Sequence, residues 1–510
     1  MKYGFLFGAG AEVSYGLPSG GQFALDIFRH DSSESKKEFK TMRNSVDITT
    51  RYASFWMPKG FQDKSISSFG KSVFQNVIKD TVEHNRVSII EQINKFDTIA
   101  RKEAERLQQK DGLDVNQTIS KLLHRDIDDI HMGQKISFIR EFEEGNELFD
   151  NSYFAALLLI YKDKTLIDRE ERAELGKIIL SILQLHIGAL SEKLSRKIND
   201  GLFDKKDDDI DLLDDIGEII QLNYATSGVA GMEYLLEKKA PNIQDEAGII
   251  LCFAQRVIES IYSSVLGYKS LIDANWHYLY SPSSDWAKFC KICIFLLTVR
   301  DYIISISNNV KPLEQYGYYH MLKEAQDAGM FEISAVATTN YNQFIEKILE
   351  LDVAFLNGST ELWYDPYLNR MGKREELLTN ENHILVPLMF TQSGTKPMTS
   401  IEMSMRYVET YIRWRASDAI VVVGFGFGID DEHINGVLRT LVDVDDKHLI
   451  VVLLDEQKTD VDVIREITNK LKVSKKQNIH VVQVDSNGIL KNTTENWCHE
   501  LNNVLEGKTC

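Results

Sequence analysis

The chain has little cysteine, little proline and a deficit of positive charge. Its 510 residues hold 5 cysteines, an odd and sparse set that fits a reducing compartment and excludes a disulfide-stapled scaffold. Two of them, Cys290 and Cys293, form a lone C-x-x-C. A zinc site needs four ligands, and neither a second C-x-x-C nor a close pair of histidines supplies the rest. The two thiols therefore read as buried helical residues, and no structural zinc is expected. Only 8 prolines argue against long disordered linkers. Against 76 Asp+Glu stand 58 Lys+Arg, a formal charge of −18, so the surface as a whole repels nucleic acid and anionic membrane. Long apolar runs are missing too: stretches such as 154–161 fall short of a bilayer span. A strand starting at Tyr3 leaves no space for a secretory signal. The expectation is a cytoplasmic protein without direct membrane contact.

What is present is ample material for packed cores, 43% hydrophobic and 10% aromatic, over a length that suits about two to four domain-sized units. Two features stand out at opposite ends. Residues 3–7 read as a strand that runs into Gly8-Ala9-Gly10-Ala11, followed by Gly16-Leu17-Pro18. Residues 419–423 read as another, breaking into Gly424-Phe425-Gly426-Phe427-Gly428 and then Asp430-Asp431-Glu432-His433. A buried strand ending in close glycines can bring backbone N–H groups against a phosphate. Two such turns suggest one nucleotide crevice assembled from both ends of the chain.

Between them the character changes. Residues 1–30 read strand, turn and a helix starting near Gln22. From 31 to 330 apolar residues recur at three- and four-residue spacing, as in 178–185 and 249–261, which predicts helices. The acidic stretch 204–215 reads as an exposed loop leading into a helix; a divalent-cation site is the alternative, without calcium-loop spacing. From 331 strands and helices alternate: strands at 331–338, 353–356, 384–388, 419–423, 449–454 and 479–484, helices at 343–349, 401–415 and 494–505. This predicts an α/β, doubly wound, parallel Rossmann-like sheet. Residues 1–30 plus 331–510 form it, with the first strand central, and 31–330 is a large all-helical insertion.

Two further segments carry chemistry. Thr338-Thr339-Asn340-Tyr341-Asn342 stands where a strand ends, at the crevice of such a sheet, and a turn whose side chains cap the next helix is the equal alternative. Leu356-Asn357-Gly358-Ser359-Thr360 carries the same ambiguity. In the glycine-rich segment from Gly424, Asp430 or Asp431 can cap the helix beginning near His433, which itself reads as a surface or packing residue. The dinucleotide fingerprint G-x-G-x-x-G is not met, because Val13 stands three after Gly10, so a hydride-transfer dehydrogenase is not the natural reading.

Taken in order, these segments resemble the sirtuin fold, in the divergent bacterial branch found as effectors of anti-phage defence. The resemblance covers about residues 1–30 and 331–510. It implies an NAD pocket formed by Gly8, Ala9, Gly10, Ala11, Leu17, Pro18, Thr339, Asn342, Gly424 and Gly426. Asp431 and the pair Asp455 and Glu456 are candidates for ribose hydroxyls of the adenosine half. The departures argue against protein deacetylation. Ser19, Gly20 and Gly21 stand where deacetylating sirtuins have an aspartate, an aromatic and an arginine, and Thr339 replaces a glutamine. Asn357 replaces the catalytic histidine, and the four-cysteine zinc module has no counterpart.

The resemblance implies instead an NAD+ hydrolase, an NADase that cleaves the nicotinamide–ribose bond of NAD as its substrate and depletes NAD in abortive, antiviral defence. Breaking that bond builds oxocarbenium character on the ribose. A site that distorts substrate and positions one water needs no strong base. Asn340 would orient that water or the ribose hydroxyls, and Asn357 would hold the same hydroxyls. Such an activity needs a trigger, so a homo-oligomer assembled through the helical block is expected. A protein partner is expected with it, a HerA-type ATPase and DNA translocase ahead of a short argonaute. A non-catalytic NAD or ADP-ribose sensor and an ADP-ribosyltransferase are the competing readings.

Overall fold

A computed structural model describes residues 1–18, 20–70, 73, 76–77, 81–82, 84–131, 147–189, 235–236, 243–267, 269–389, 400–454, 458–491 and 493–506. The β-branched and aromatic runs form strands. Among the described residues these are β1 (Lys2–Phe7), β2 (Glu332–Thr338), β3 (Val353–Phe355), β4 (Gly358–Asp365), β5 (Arg370–Gly372), β6 (Val386–Met389), β7 (Ala419–Val423), β8 (His448–Leu454) and β9 (Ile479–Val484).

Six of them make one sheet in the order β3-β2-β1-β7-β8-β9, every neighbouring pair parallel. A parallel sheet covered on both faces needs strands that are apolar throughout. β7 meets that demand with Ala419, Ile420, Val421, Val422 and Val423 all buried, and β8 with Leu449 to Val452. β1 is an inner strand: Phe5 sits beside Val336 and Val421, and Phe7 beside Thr338 and Val423. The strand order runs outward from β1 through β2 to β3, then restarts on its other side at β7. This is an α/β, Rossmann-like arrangement whose switch point lies between β1 and β7.

β4, β5 and β6 form a second, antiparallel sheet, order β5-β4-β6, that periodicity did not foretell. The strand expected at 384–388 appears at Val386–Met389 and belongs here, opposite Tyr364 and Trp363. The reason is Pro387: without an N–H it is confined to an edge, and β6 is an edge. The closing helix is shorter than 494–505. A 3-10 turn, Trp497–His499, capped by the Asn496 side chain on Cys498 N–H, precedes the helix Glu500–Leu505.

The described residues divide into two units. One comprises residues 1–19, 30–69 and 269–510 and holds both sheets, with helices that include Ser33–Ser45, Trp286–Asn308, Tyr318–Asp327 and Ile401–Arg415. Its core is aromatic: Tyr3, Phe5, Phe7, Tyr15, Tyr319 and Trp497 are fully buried, and the Phe7 and Tyr319 rings meet edge-on at 5.1 Å. Cys290 and Cys293 are buried on Trp286–Asn308, where burial pushes the Cys290 thiol up to about 12.

The second unit comprises residues 20–29 and 70–268, and its described elements are helices. Glu246–Val265 buries Ile250, Phe253, Val257 and Ile261, and its Glu259 pairs with Arg29 at 2.9 Å. By length and composition alone this helix, unlike 154–161, is long and apolar enough to cross a membrane, and most of it is buried. The acidic stretch 204–215 lies outside the described residues.

Candidate functional site

In a parallel sheet every carboxyl end points the same way, so the segments after β1, β2, β3 and β7 emerge along one edge. Hydrogen bonds tie them together there. Gly8 N–H donates to Val423 O and Gly10 N–H to Gly424 O, both at 2.9 Å. Thr339 N–H donates to Phe7 O at 2.9 Å, Leu356 N–H to Thr338 O at 2.9 Å, and Thr360 N–H to Tyr341 O at 2.9 Å. Tyr407 donates its hydroxyl to Leu356 O and stands edge-on to His433, 5.5 Å between ring centres. Four segments separated by up to four hundred residues thus form one edge.

The glycines explain themselves by close approach. A Cβ on Gly424, which has φ +65°, would stand 2.2 Å from Ala11 N, and one on Gly8 2.6 Å from Gly424 O. The two turns pack backbone on backbone, and the N–H groups of Gly8, Gly10 and Ala11 are spent inside the protein, Ala11 on Gly8 O at 3.1 Å. Ala9, Gly10 and Gly426 remain exposed, and a Cβ on Gly426 would meet nothing within 4 Å. Leu17 is buried just after Gly16, and Pro18 is half-buried. Beside the joined turns a cleft of about 350 Å³ opens. Gly10, Gly424, Gly426, Phe427, Leu453 and Lys458 contribute to its lining. That volume lies in the range of small-molecule sites.

Under the first turn lies a polar network. Asn340 donates its amide N–H groups to Gly8 O and to the Tyr319 hydroxyl, each at 3.1 Å, which leaves its carbonyl oxygen. Asn342 accepts from Phe344 N–H, at the start of the helix Phe344–Leu349, at 3.0 Å and donates to Glu12 Oε2 at 2.5 Å. The N-cap position of that helix is Gln343, which makes no side-chain cap. Glu12 Oε1 accepts from the Tyr319 hydroxyl at 2.8 Å, and Tyr15 accepts from Tyr319 N–H at 3.0 Å. Burial raises the Glu12 carboxyl to about 7, against the pull of the Tyr319 and Asn342 bonds. Glu12 was missed in the sequence, yet it is the only charged residue between positions 3 and 25.

Asn357 follows β3. It is 5% exposed, and its Oδ1 is buried without a hydrogen-bond partner. A buried amide oxygen left unpaired costs about 1–3 kcal/mol, so the site holds an unmet demand for a donor. Gly358 follows in the left-handed region, and a Cβ there would strike Leu388 O, so only glycine fits. Thr339 is half-buried, and Asp431 precedes the helix Glu432–Asp443 without capping it through its side chain. Asp455 and Glu456 lie outside the described residues. Among the described residues no group of His, Cys, Asp and Glu is arranged to hold a metal ion.

The class these elements define is an α/β protein with a Rossmann-like parallel sheet and a cleft at its switch point. No protein-family model, curated protein or solved structure matches the chain.

Proposed function

We propose that the carboxyl edge of the six-stranded sheet binds NAD+ and that the protein hydrolyses its nicotinamide–ribose bond. The observation that carries the reading is the unpartnered, buried Oδ1 of Asn357, on the same edge as the paired glycine turns. A ribose hydroxyl is a donor of the kind this oxygen lacks. The cleft beside Gly10, Gly424 and Gly426 suits the adenosine half, with Lys458 in its lining.

Asn357 accepts a hydroxyl of the nicotinamide-bearing ribose and fixes the sugar. Asn340 is held by Gly8 O and Tyr319, so its free carbonyl oxygen orients an attacking water. Nicotinamide leaves neutral with the electron pair of the broken bond, the water oxygen bonds to the ribose carbon, and its proton passes to solvent because neither amide takes it; positioning supplies the rate. The sequence resemblance adds the cellular role: depletion of NAD during phage infection, released by a partner such as a HerA-type translocase.

A nucleotide sensor that binds without cleaving is the second reading. It is favoured by Asn357, an amide that cannot take a proton where the sequence resemblance implies a histidine. Calorimetric titration with NAD+ and chromatographic measurement of nicotinamide, on the same preparation with and without the candidate partner, separate the readings. Binding with nicotinamide release, lowered about ten- to a thousandfold in Asn357→Ala, is the expected result. Binding without release under either condition gives the sensor; no binding removes both.

A further inference from the structure

The helix Ile401–Arg415 is apolar on two opposite sides. Met403, Tyr407, Thr410 and Trp414 are buried, and it packs against β1 and β2 with that side. At 3.6 residues per turn, Ile401, Met405, Val408 and Ile412 fall on the far side as a second stripe. They are 71%, 54%, 55% and 57% exposed. A helix that only covers a sheet has no use for this stripe, and four large aliphatic side chains in a row mark a contact surface.

The charges beside the stripe choose the occupant. Along one flank run Glu402, Arg406, Glu409 and Arg413. Set a second copy of the helix antiparallel about a two-fold axis near Tyr407. Ile401 then meets Ile412, Met405 meets Val408 and Glu402 meets Arg413, with Glu409 beside Arg406. Every facing pair is apolar with apolar or acid with base. A parallel copy would carry this flank to the opposite side of the seam, where Glu402 and Arg413 would not meet each other. Arg406 is held within its own chain by Phe355 O at 3.2 Å, and Arg413 only by an exposed pair with Asp352 at 3.8 Å. Arg413 is therefore free to exchange partners at little cost. A surface complementary to itself under a two-fold axis is what an isologous contact requires.

We infer that Ile401–Arg415 is a self-association helix, which pairs two copies of this chain antiparallel through Ile401, Met405, Val408 and Ile412.

Sedimentation of the full chain over a range of concentrations tests this. The wild type is expected to sediment as a dimer or a multiple of one, and Met405→Glu/Val408→Glu at half that mass. Its dissociation constant should rise at least about a hundredfold, because two carboxylates would lose water against an apolar surface. Both side chains are exposed, so the variant should still unfold cooperatively, and its melting temperature should lose the concentration dependence that a dimer gives the wild type. Glu402→Arg and Arg413→Glu should each weaken the dimer, and the double reversal should restore it, an outcome that milder changes than Met405→Glu/Val408→Glu make independent of folding. A monomeric wild type, or an unchanged mass in the glutamate variant, overturns the proposal. Single reversals that weaken association without rescue by the double overturn the antiparallel pairing.

Discussion

Glu12→Gln should make the protein more stable at pH 8 and leave it nearly unchanged at pH 4.5. Glu12 is 4% exposed and sits between Tyr319 and Asn342. Burial raises its carboxyl from 4.5 to about 7, a displacement worth about 3 kcal/mol. The folded value lies above the unfolded one, so the native state holds the proton more tightly. The stabilisation is complete below about pH 4.5 and is lost as the pH rises through about 7. A neutral glutamine keeps the carbonyl acceptor of the protonated acid and replaces its O–H donor with an amide that carries one N–H more. It can accept from Asn342 and donate to Tyr319. The difference between variant and wild type should therefore be within about 1 kcal/mol at pH 4.5 and grow to about 3 kcal/mol by pH 8. Urea unfolding followed by tryptophan fluorescence at pH 4.5, 6, 7 and 8 reads this difference directly, since contributions from other groups cancel between the two proteins. A difference that stays constant with pH, or a glutamine variant weaker at pH 8, would refute the buried-acid argument.

Two more outcomes follow from side-chain geometry. Gly424→Ala should destabilise the sheet-bearing unit by at least about 3 kcal/mol, because its Cβ would stand 2.2 Å from Ala11 N at a φ of +65°; an unchanged melting temperature would mean the two turns are not packed as described. His383 lies between Asp365 at 2.7 Å and Glu381 at 3.0 Å, stacked on Tyr52 at 4.2 Å. Burial works to lower its pKa, but the two carboxylates outweigh it and the net direction is up. Stability from this triad is whole below the unfolded value of about 6.5 and fades as pH rises through the folded one. His383→Gln should abolish that loss in a melting-temperature series from pH 6 to 9, and an identical slope in both proteins would show that the imidazole does not carry it.

Much of the sheet was legible because its strands obey a local rule. The runs at 419–423 and 449–454 are β-branched and apolar throughout, as only a strand buried on both faces can be. The joining of Gly8 to Val423 was legible too, since a lone first strand has to find partners elsewhere. The antiparallel sheet was not. Gly358–Asp365 mixes Ser359, Thr360 and Glu361 with Trp363 and Tyr364, and its start carried the turn motif that drew the reading away from a strand. Glu12 was illegible for another reason. Its partners Tyr319 and Asn342 stand more than three hundred residues along the chain, and no periodicity reports such a pairing. The exposed stripe on Ile401–Arg415 was hidden by its own helix, because two opposed apolar faces blur a single amphipathic signal.

β1 is an inner strand, yet its neighbours β2 and β7 begin at Glu332 and Ala419. This sets a timetable for synthesis. At about 5–20 residues per second a ribosome needs on the order of half a minute to deliver Glu332, and longer for Ala419. Throughout that interval Phe5-Leu6-Phe7 has been made and has no sheet to enter. β1 is made long before it can be seated, and the nascent chain has to be kept from aggregating through those three side chains until β2 and β7 follow.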